Sequence, residues 1–283
     1  MAKTKIEWTE YVWNPVTGCT PIAEGCKNCY AKRMANRLRG RFGYPADDPF
    51  RVTLHPDKLN EPLKWKKPRK IFVCSMGDLF HEDVPDEFIK RVFCTMFNAK
   101  QHQFVILTKR PDGLIKFWRE TCAIGHNKID NLLLGFSAST QKEFDEGLWH
   151  MAPLAAAGWK VIVSLEPLLG PIDISKAKGL ALVIVGGESG PGARPCNIEH
   201  VRSIVQQCKV AGVPCFVKQL GSNPEDDDDC WKDCPQYPEC YSIAAECSAE
   251  QKKQSITENI KHPKGGDPSE WSPDLRIRQF PSL

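Results

Sequence analysis

The sequence has no long apolar run. Its longest, around Leu180–Val185, falls far short of the ~20 residues a membrane-spanning helix needs, so no membrane partner is expected. The opening Met1-Ala-Lys-Thr-Lys-Ile-Glu-Trp8 lacks the apolar core of a secretory signal, and the chain is expected to stay in the cytoplasm. Net charge is also scarce: 38 Lys and Arg against 35 Asp and Glu give +3, which points to no partner by itself. No internal repeat is visible beyond strand and helix alternation. With 41% hydrophobic and 26% charged residues, wholesale disorder and collagen-like chains are excluded. A length of 283 residues suits two domains of roughly 150 residues or one α/β barrel.

Cysteine is not scarce. There are 13, an odd number in a chain too long for a disulfide miniprotein. Such cysteines are core residues, metal ligands or redox groups rather than a disulfide framework.

The middle of the chain alternates in character. Apolar runs at 70–75, 104–108, 132–137, 161–164, 182–185 and 214–218 read as strands. Segments near 85–99, 111–121, 141–157 and 198–210 read as helices, the first with Phe88, Val92, Phe93, Met96 and Phe97 at helical spacing. Strands that are apolar throughout are buried on both faces, as in a parallel sheet covered by helices. The reading is a complete or partial (β/α) barrel of six to seven parallel strands, with a doubly wound open sheet as the alternative.

Two charged regions stand outside this rhythm. Residues 27–70 hold thirteen Lys and Arg against four acids, a local +9; residues 222–250 hold nine acids and one Lys, a local −8. The expected organisation is a barrel over 1–221, an acidic Cys-rich insertion over 222–262, and a segment over 263–283 that packs back on the barrel. The basic stretch, with Phe42, Tyr44 and Trp65 interleaved, suits a phosphate backbone with stacked bases, or equally a solvated face balanced by the acidic insertion.

Cys19, Cys26 and Cys29 lie within eleven residues, spaced C-x6-C-x2-C. The two-residue gap turns two thiols toward one centre, and Pro21 and Gly25 let the preceding loop bring in Cys19. A helix starting near Cys29 would direct its amide end at anionic thiolates. A 4Fe–4S cluster with three protein ligands leaves one iron open to a small molecule. Zinc with a fourth ligand such as His55, or a C-terminal cysteine, fits the spacing equally. Cys230, Cys234, Cys240 and Cys247 form a second group that suits an auxiliary cluster or zinc, with surface thiols as the alternative.

In a β/α barrel the site lies at the C-terminal strand ends. There the sequence places Ser75, Met76 and Asp78; Thr108, Lys109 and Arg110; Ser137, Ser139 and Thr140; Ser164 and Glu166; Glu188; and Lys218 and Gln219. Each alone suits a helix cap or a satisfied loop; together they suggest a site. Gly186-Gly187-Glu188-Ser-Gly-Pro-Gly192 is a glycine-rich loop that lacks the Gly-Lys-Ser/Thr ending of a P-loop, which disfavours nucleotide hydrolysis. Its amides suit adenosine or phosphate, and Arg194 a phosphate or a salt bridge.

A three-cysteine loop after the first strand of such a barrel resembles the radical S-adenosylmethionine (SAM) superfamily. The superfamily spacing is C-x3-C-x2-C with an aromatic residue before the third cysteine; here that place is Asn28, and Tyr30 follows. The chain more closely resembles the phage-associated three-Cys-motif proteins, a radical-SAM-like family. The resemblance rests on Trp13-Asn-Pro-Val-Thr-Gly-Cys-Thr20, Gly25-Cys-Lys-Asn-Cys-Tyr-Ala31, Ser75-Met-Gly-Asp-Leu-Phe-His81, Leu107-Thr-Lys-Arg-Pro111, Glu166-Pro-Leu-Leu-Gly-Pro-Ile172, Gly186-Gly-Glu-Ser-Gly-Pro-Gly-Ala-Arg-Pro195 and Lys264-Gly-Gly-Asp-Pro-Ser-Glu-Trp271.

The resemblance implies that Cys19, Cys26 and Cys29 hold a 4Fe–4S cluster. Its open iron would bind SAM, whose reductive cleavage yields a 5′-deoxyadenosyl radical. It places Tyr30, Ser75, Met76, Asp78, Ser137, Ser139, Glu166, Gly186, Gly187 and Glu188 at the cofactor, and Lys109, Arg110, Arg194 and Lys218 at a substrate. A reductant protein and a nucleic acid or nucleotide substrate complete the expectation. The alternative is a non-catalytic metal-binding protein on the same scaffold that binds nucleic acid or a partner.

Overall fold

Each apolar run of the middle of the chain becomes one strand of a single sheet. The structure is a computed structural model that describes residues 2–121, 128–177, 179–225 and 260–281. In chain order, β1 (Ala2–Lys3), β2 (Tyr11–Trp13) and β3 (Val16–Thr17) precede α1 (Tyr30–Arg37) and β4 (Thr53–Leu54). Then come β5 (Lys70–Val73), α2 (Asp86–Asn98), β6 (Gln103–Thr108), α3 (Pro111–Glu120), β7 (Leu132–Ser137) and α4 (Gln141–Ala156). The series continues with β8 (Lys160–Leu165), β9 (Leu182–Gly186), β10 (Cys196–Asn197), α5 (Ile198–Ala211), β11 (Cys215–Gln219) and β12 (Pro224–Glu225).

The main sheet has the order β1-β2-β5-β6-β7-β8-β9-β11. β1 is antiparallel to β2, and the other seven strands are parallel throughout. Each parallel strand lies beside its predecessor in that sheet, so the winding never reverses. A doubly wound sheet has such a reversal, and this alternative is therefore set aside. β2 and β11 do not pair with each other, which leaves a curled half-barrel of seven parallel strands.

Both faces of the sheet are buried, as the unbroken apolar runs require. Ile71, Val73, Phe104, Ile106, Leu134, Phe136, Val163, Val185 and Val217 pack on the helices. The alternate residues Phe72, Val105, Leu133, Ile162, Leu182, Ile184 and Phe216 form a second cluster on the concave face, with Trp8. Strand pleating therefore sends Ser164, Glu166, Gly186 and Lys218 to the concave side, toward the C-terminal mouth.

Local signals explain the helices. Thr140 caps α4 by accepting from Glu143 N at 3.3 Å. Asn197 caps α5 by accepting from Glu199 N at 2.8 Å, and Gly212 ends it at φ 65°. Two features differ from a regular β/α rhythm. β2 is three residues long, too short for its periodicity to show. The connection from β8 to β9 contains no helix among its described residues, because Pro167, Gly170 and Pro171 break the pattern. The peptide between Glu166 and Pro167 is cis.

Residues 277–279 lie along the free edge of β11. Ile277 O accepts from Val217 N at 2.8 Å and Gln279 N donates to Cys215 O at 2.9 Å. Cys230, Cys234, Cys240 and Cys247, with most of the expected insertion, lie outside the described residues. No helix among the described residues is long and apolar enough to cross a membrane.

Candidate functional site

The three clustered cysteines lie on the crossover that leaves β2. Gly18 begins the turn at φ +84°; a β-carbon there would stand 2.1 Å from Arg51 O. Gly18 N donates to Met76 O at 2.9 Å, and Cys19 N to Phe50 O at 3.1 Å. Cys19 is thus pinned between the loop after β5 and the segment before β4. Cys26 ends a single 3-10 turn, Glu24–Cys26, and Cys29 caps α1. Cys19 and Cys29 pack against the same small cluster of Ala31, Ala35, Tyr44, Phe50 and Met76. All three thiols are free and partly exposed. Burial, then Asp78, pushes the Cys19 thiol up to about 11, against an opposing pull from Arg110.

Arg110 is the cation of this loop. Its side chain is only 9% exposed. Nη1 donates to Cys19 Sγ at 3.2 Å, and Nη2 donates to Thr20 O at 3.0 Å and Thr20 Oγ1 at 2.8 Å. The buried His81 accepts from Asp83 N at 3.1 Å through Nδ1, which leaves Nε2 to donate to Thr20 Oγ1 at 2.8 Å. Burial and Arg110 hold the His81 pKa below the ordinary imidazole value.

Asp78 supports this arrangement from beneath. It accepts from Thr108 Oγ1 at 2.7 and 2.9 Å, Lys109 N at 3.0 Å and Phe80 N at 3.0 Å. Its nearest approach to Arg110 is 3.8 Å. Asn14 accepts from Ser75 Oγ and Met76 N, each at 3.2 Å. The Tyr30 hydroxyl donates to Ser75 O, while the residue as a whole is exposed. Burial of that hydroxyl, then the nearby Cys29 and Glu166, raises the Tyr30 pKa. Ser75, Met76 and Asp78 therefore brace the mouth.

Deeper in the mouth, Glu166 Oε1 pairs with Lys218 Nζ at 3.0 Å, and Oε2 accepts from Ser164 Oγ at 3.0 Å. Lys109 Nζ donates to Glu166 O at 3.4 Å. Ser139 is fully buried, and its Oγ has no hydrogen-bond partner. A β-carbon on Gly25, inside the cysteine loop, would stand 2.3 Å from Ser139 Oγ and 3.3 Å from Lys109 Nζ. The orphaned hydroxyl and the lysine thus meet the cysteine loop at one point. Ser137 is half-buried at the end of β7.

The glycine-rich loop after β9 closes the far side. Glu188 accepts from Arg194 N at 2.9 Å, Arg194 Nη2 at 2.8 Å and Asn28 Nδ2 at 2.8 Å. Although burial opposes ionisation, the bonds from Arg194 and Asn28 hold the carboxyl at about 2. Arg194 also donates to Glu24 O at 3.0 Å, Asn28 donates to Gly192 O at 2.9 Å, and Arg33 donates to Ser189 O at 2.8 Å. Gly190 N donates to Ser222 Oγ at 2.9 Å. A β-carbon on Gly187 would stand 2.4 Å from Leu220 O, and one on Gly186 3.0 Å from Glu166 Oε1. This loop thus binds the cysteine loop through its carbonyls and Glu188. Arg194 is committed to that tie.

The structure brings Cys19, Cys26, Cys29, Arg110, Lys109, Ser139, Glu166 and Lys218 to one end of the sheet. Sequence reasoning missed Asn14, Gly18 and His81, and it noted Asn28 and Gly25 without their partners Glu188 and Ser139. Gly18 and Gly25 flank the cysteines, and that placement was their only signal. The basic stretch is dispersed: Tyr44 is buried, and Trp65 stacks on Arg69 at 3.5 Å beside Tyr11, while Phe42 is exposed.

The resemblance in sequence implies two groups, a thiolate-bound cluster and SAM. The donors suit the cluster: three free thiols on one loop, a buried guanidinium on Cys19, and the amide end of α1 after Cys29. The orphaned Ser139 hydroxyl supplies a polar atom that a ligand in the mouth would satisfy. Of the zinc alternative's fourth ligands, His55 bonds Thr17 Oγ1 at 2.8 Å, and the C-terminal cysteines of the acidic segment lie outside the described residues. Among the described residues no three His, Cys, Asp or Glu side chains, the three cysteines included, gather closely enough for a single ion.

Comparison with known proteins gives one sequence match. A family model described as "Protein of unknown function (DUF5131)" matches residues 3–265. No curated protein matches the sequence. Among solved structures, the chain is similar to spore photoproduct lyase complexed with dinucleoside spore photoproduct, at TM-score 0.42 and 13% identity over 66% of this chain and 58% of that one. A variant of that lyase with bound AdoMet and dinucleoside spore photoproduct gives TM-score 0.42 and 14% identity over 65% and 57%. The chain thus spans less than two thirds of the length of these structures. The family match covers nearly all of the sheet and the entire cysteine loop, and the chain belongs to the DUF5131 family.

Proposed function

We propose that this protein is a radical SAM-type enzyme in which Cys19, Cys26 and Cys29 hold a 4Fe–4S cluster and the mouth of the half-barrel holds SAM. The observation that carries the reading is the cysteine loop itself: three free thiols at the C-terminal end of a singly wound parallel sheet, with a buried guanidinium on the first. When bound, the pair supplies one-electron chemistry that no side chain provides.

The chain's own residues bind, orient and exclude water. Arg110 offsets the negative charge of the thiolates. Ser139 and Lys109 present a hydroxyl and an ammonium beside Gly25. Glu166, held between Ser164 and Lys218, offers a fixed carboxylate to a hydroxyl or amine. The apolar concave face, from Phe72 across to Phe216, shields the base of the mouth. Lys109 and Lys218 suit a phosphate-bearing substrate, a nucleotide unit free or within a nucleic acid. A small reductant protein would deliver the electron.

Anaerobic purification followed by iron, sulfide and zinc analysis tests the reading. The expected result is a brown protein with about four irons per chain that releases 5′-deoxyadenosine when given SAM and dithionite. Cys26→Ala should lose the iron. A colourless zinc protein, or a Cys26→Ala variant with unchanged iron, overturns the assignment.

A further inference from the structure

The least expected contact at the mouth is the one Arg110 makes. The resemblance places Arg110 at a substrate, yet its guanidinium is buried and its hydrogen bonds among the described residues run into the cysteine loop: Cys19 Sγ at 3.2 Å and Thr20 at 3.0 and 2.8 Å. Its one carboxylate neighbour among the described residues, Asp78, stands 3.8 Å away and is already held by Thr108, Lys109 and Phe80. A buried cation needs an anion and satisfied donors. Here one donor points at a sulfur.

We propose that Arg110 is a positioning residue that fixes Cys19 as a cluster ligand and makes the bound cluster easier to reduce. The inference rests on the radical SAM reading above and adds to it. An N–H aimed at a ligating sulfur, and a positive charge beside it, stabilise the more negative reduced state of a cluster and raise its potential. The fork shape matters: Nη1 reaches the sulfur while Nη2 holds the next residue, so the loop cannot rotate Cys19 away. His81 bonds the same hydroxyl, Thr20 Oγ1, at 2.8 Å.

The test compares wild type, Arg110→Gln and Arg110→Lys, each purified anaerobically. Iron and sulfide content is measured first, then the cluster potential by a redox titration followed by EPR. The expected result for Arg110→Gln is a more negative potential, about tenfold in the oxidised-to-reduced ratio, or about 59 mV for one electron. Arg110→Lys, which keeps charge but not the fork, should fall between. A loaded Arg110→Gln with the wild-type potential overturns the proposal. If Arg110→Gln folds but takes up no iron, the positioning role is upheld and Arg110→Lys decides the rest; a wild-type potential there overturns the tuning. Wild-type protein without iron defeats the underlying radical SAM reading instead, so the two failures are distinguishable.

Discussion

The tie between Glu188, Arg194 and Asn28 makes a quantitative prediction. The Glu188 carboxyl drops from an ordinary value of 4.5 to about 2 in the folded protein. Each unit is worth about 1.4 kcal/mol, so the tie contributes about 3 kcal/mol at neutral pH. Because the folded pKa is depressed, this contribution is complete above about 4.5 and is lost as pH falls toward about 2. At pH 3 the unfolded chain has already protonated the group while the folded chain has not, and about 1 kcal/mol remains. Glu188→Gln mimics the protonated form. Urea unfolding of wild type and variant, with thiols kept reduced, should show a stability gap near 3 kcal/mol at pH 7 that narrows to about 1 kcal/mol at pH 3. The difference between the two proteins cancels the other carboxylates. A gap that is the same at both pH values would refute the reasoning.

Further predictions follow from the same geometry. Gly18→Ala places a β-carbon 2.1 Å from Arg51 O at positive φ; a loss of about 3 kcal/mol or more is expected, read as a lower urea midpoint, and an unchanged midpoint would contradict the turn. Thr108→Val removes a donor to Asp78 and the acceptor of Arg110 N at 2.8 Å. It should cost about 1–3 kcal/mol, measured by thermal unfolding at constant pH. Gly147→Ala drives a β-carbon to 2.2 Å from the Phe136 ring and should destabilise by about 1–3 kcal/mol, with wild-type stability as the contrary result.

The strands and helices were legible because their patterns are local. Residues 132–136 carry no polar side chain before Ser137, and the strand Leu132–Ser137 occupies that span. Polar residues after the strands could be placed at the mouth because parallel winding puts every strand end on one side. Their partners could not be read. The resemblance places Asp78 at the cofactor, but its oxygens go to Thr108 and Lys109, some thirty residues away. Arg194 and Glu188 were each readable as ligand contacts; only the fold shows that they bind each other and Asn28. Asn28 was noted for the aromatic residue it replaces, whereas its amide bridges two loops. β2 escaped notice because three residues carry no period.

That bridge also bears on how the protein folds. Asn28 and Glu188 are 160 residues apart, Arg194 and Glu24 170. Contacts so distant in the chain carry a large loop-closure entropy and are expected to form after the intervening strands have paired. During synthesis the cysteines emerge early; Phe50, Met76 and Arg110 hold the Cys19 end of their loop, but the end at Glu24 and Asn28 is tied only once the segment around residue 194 has joined the sheet. A truncated or half-folded chain would therefore display the thiols without the tie across the mouth.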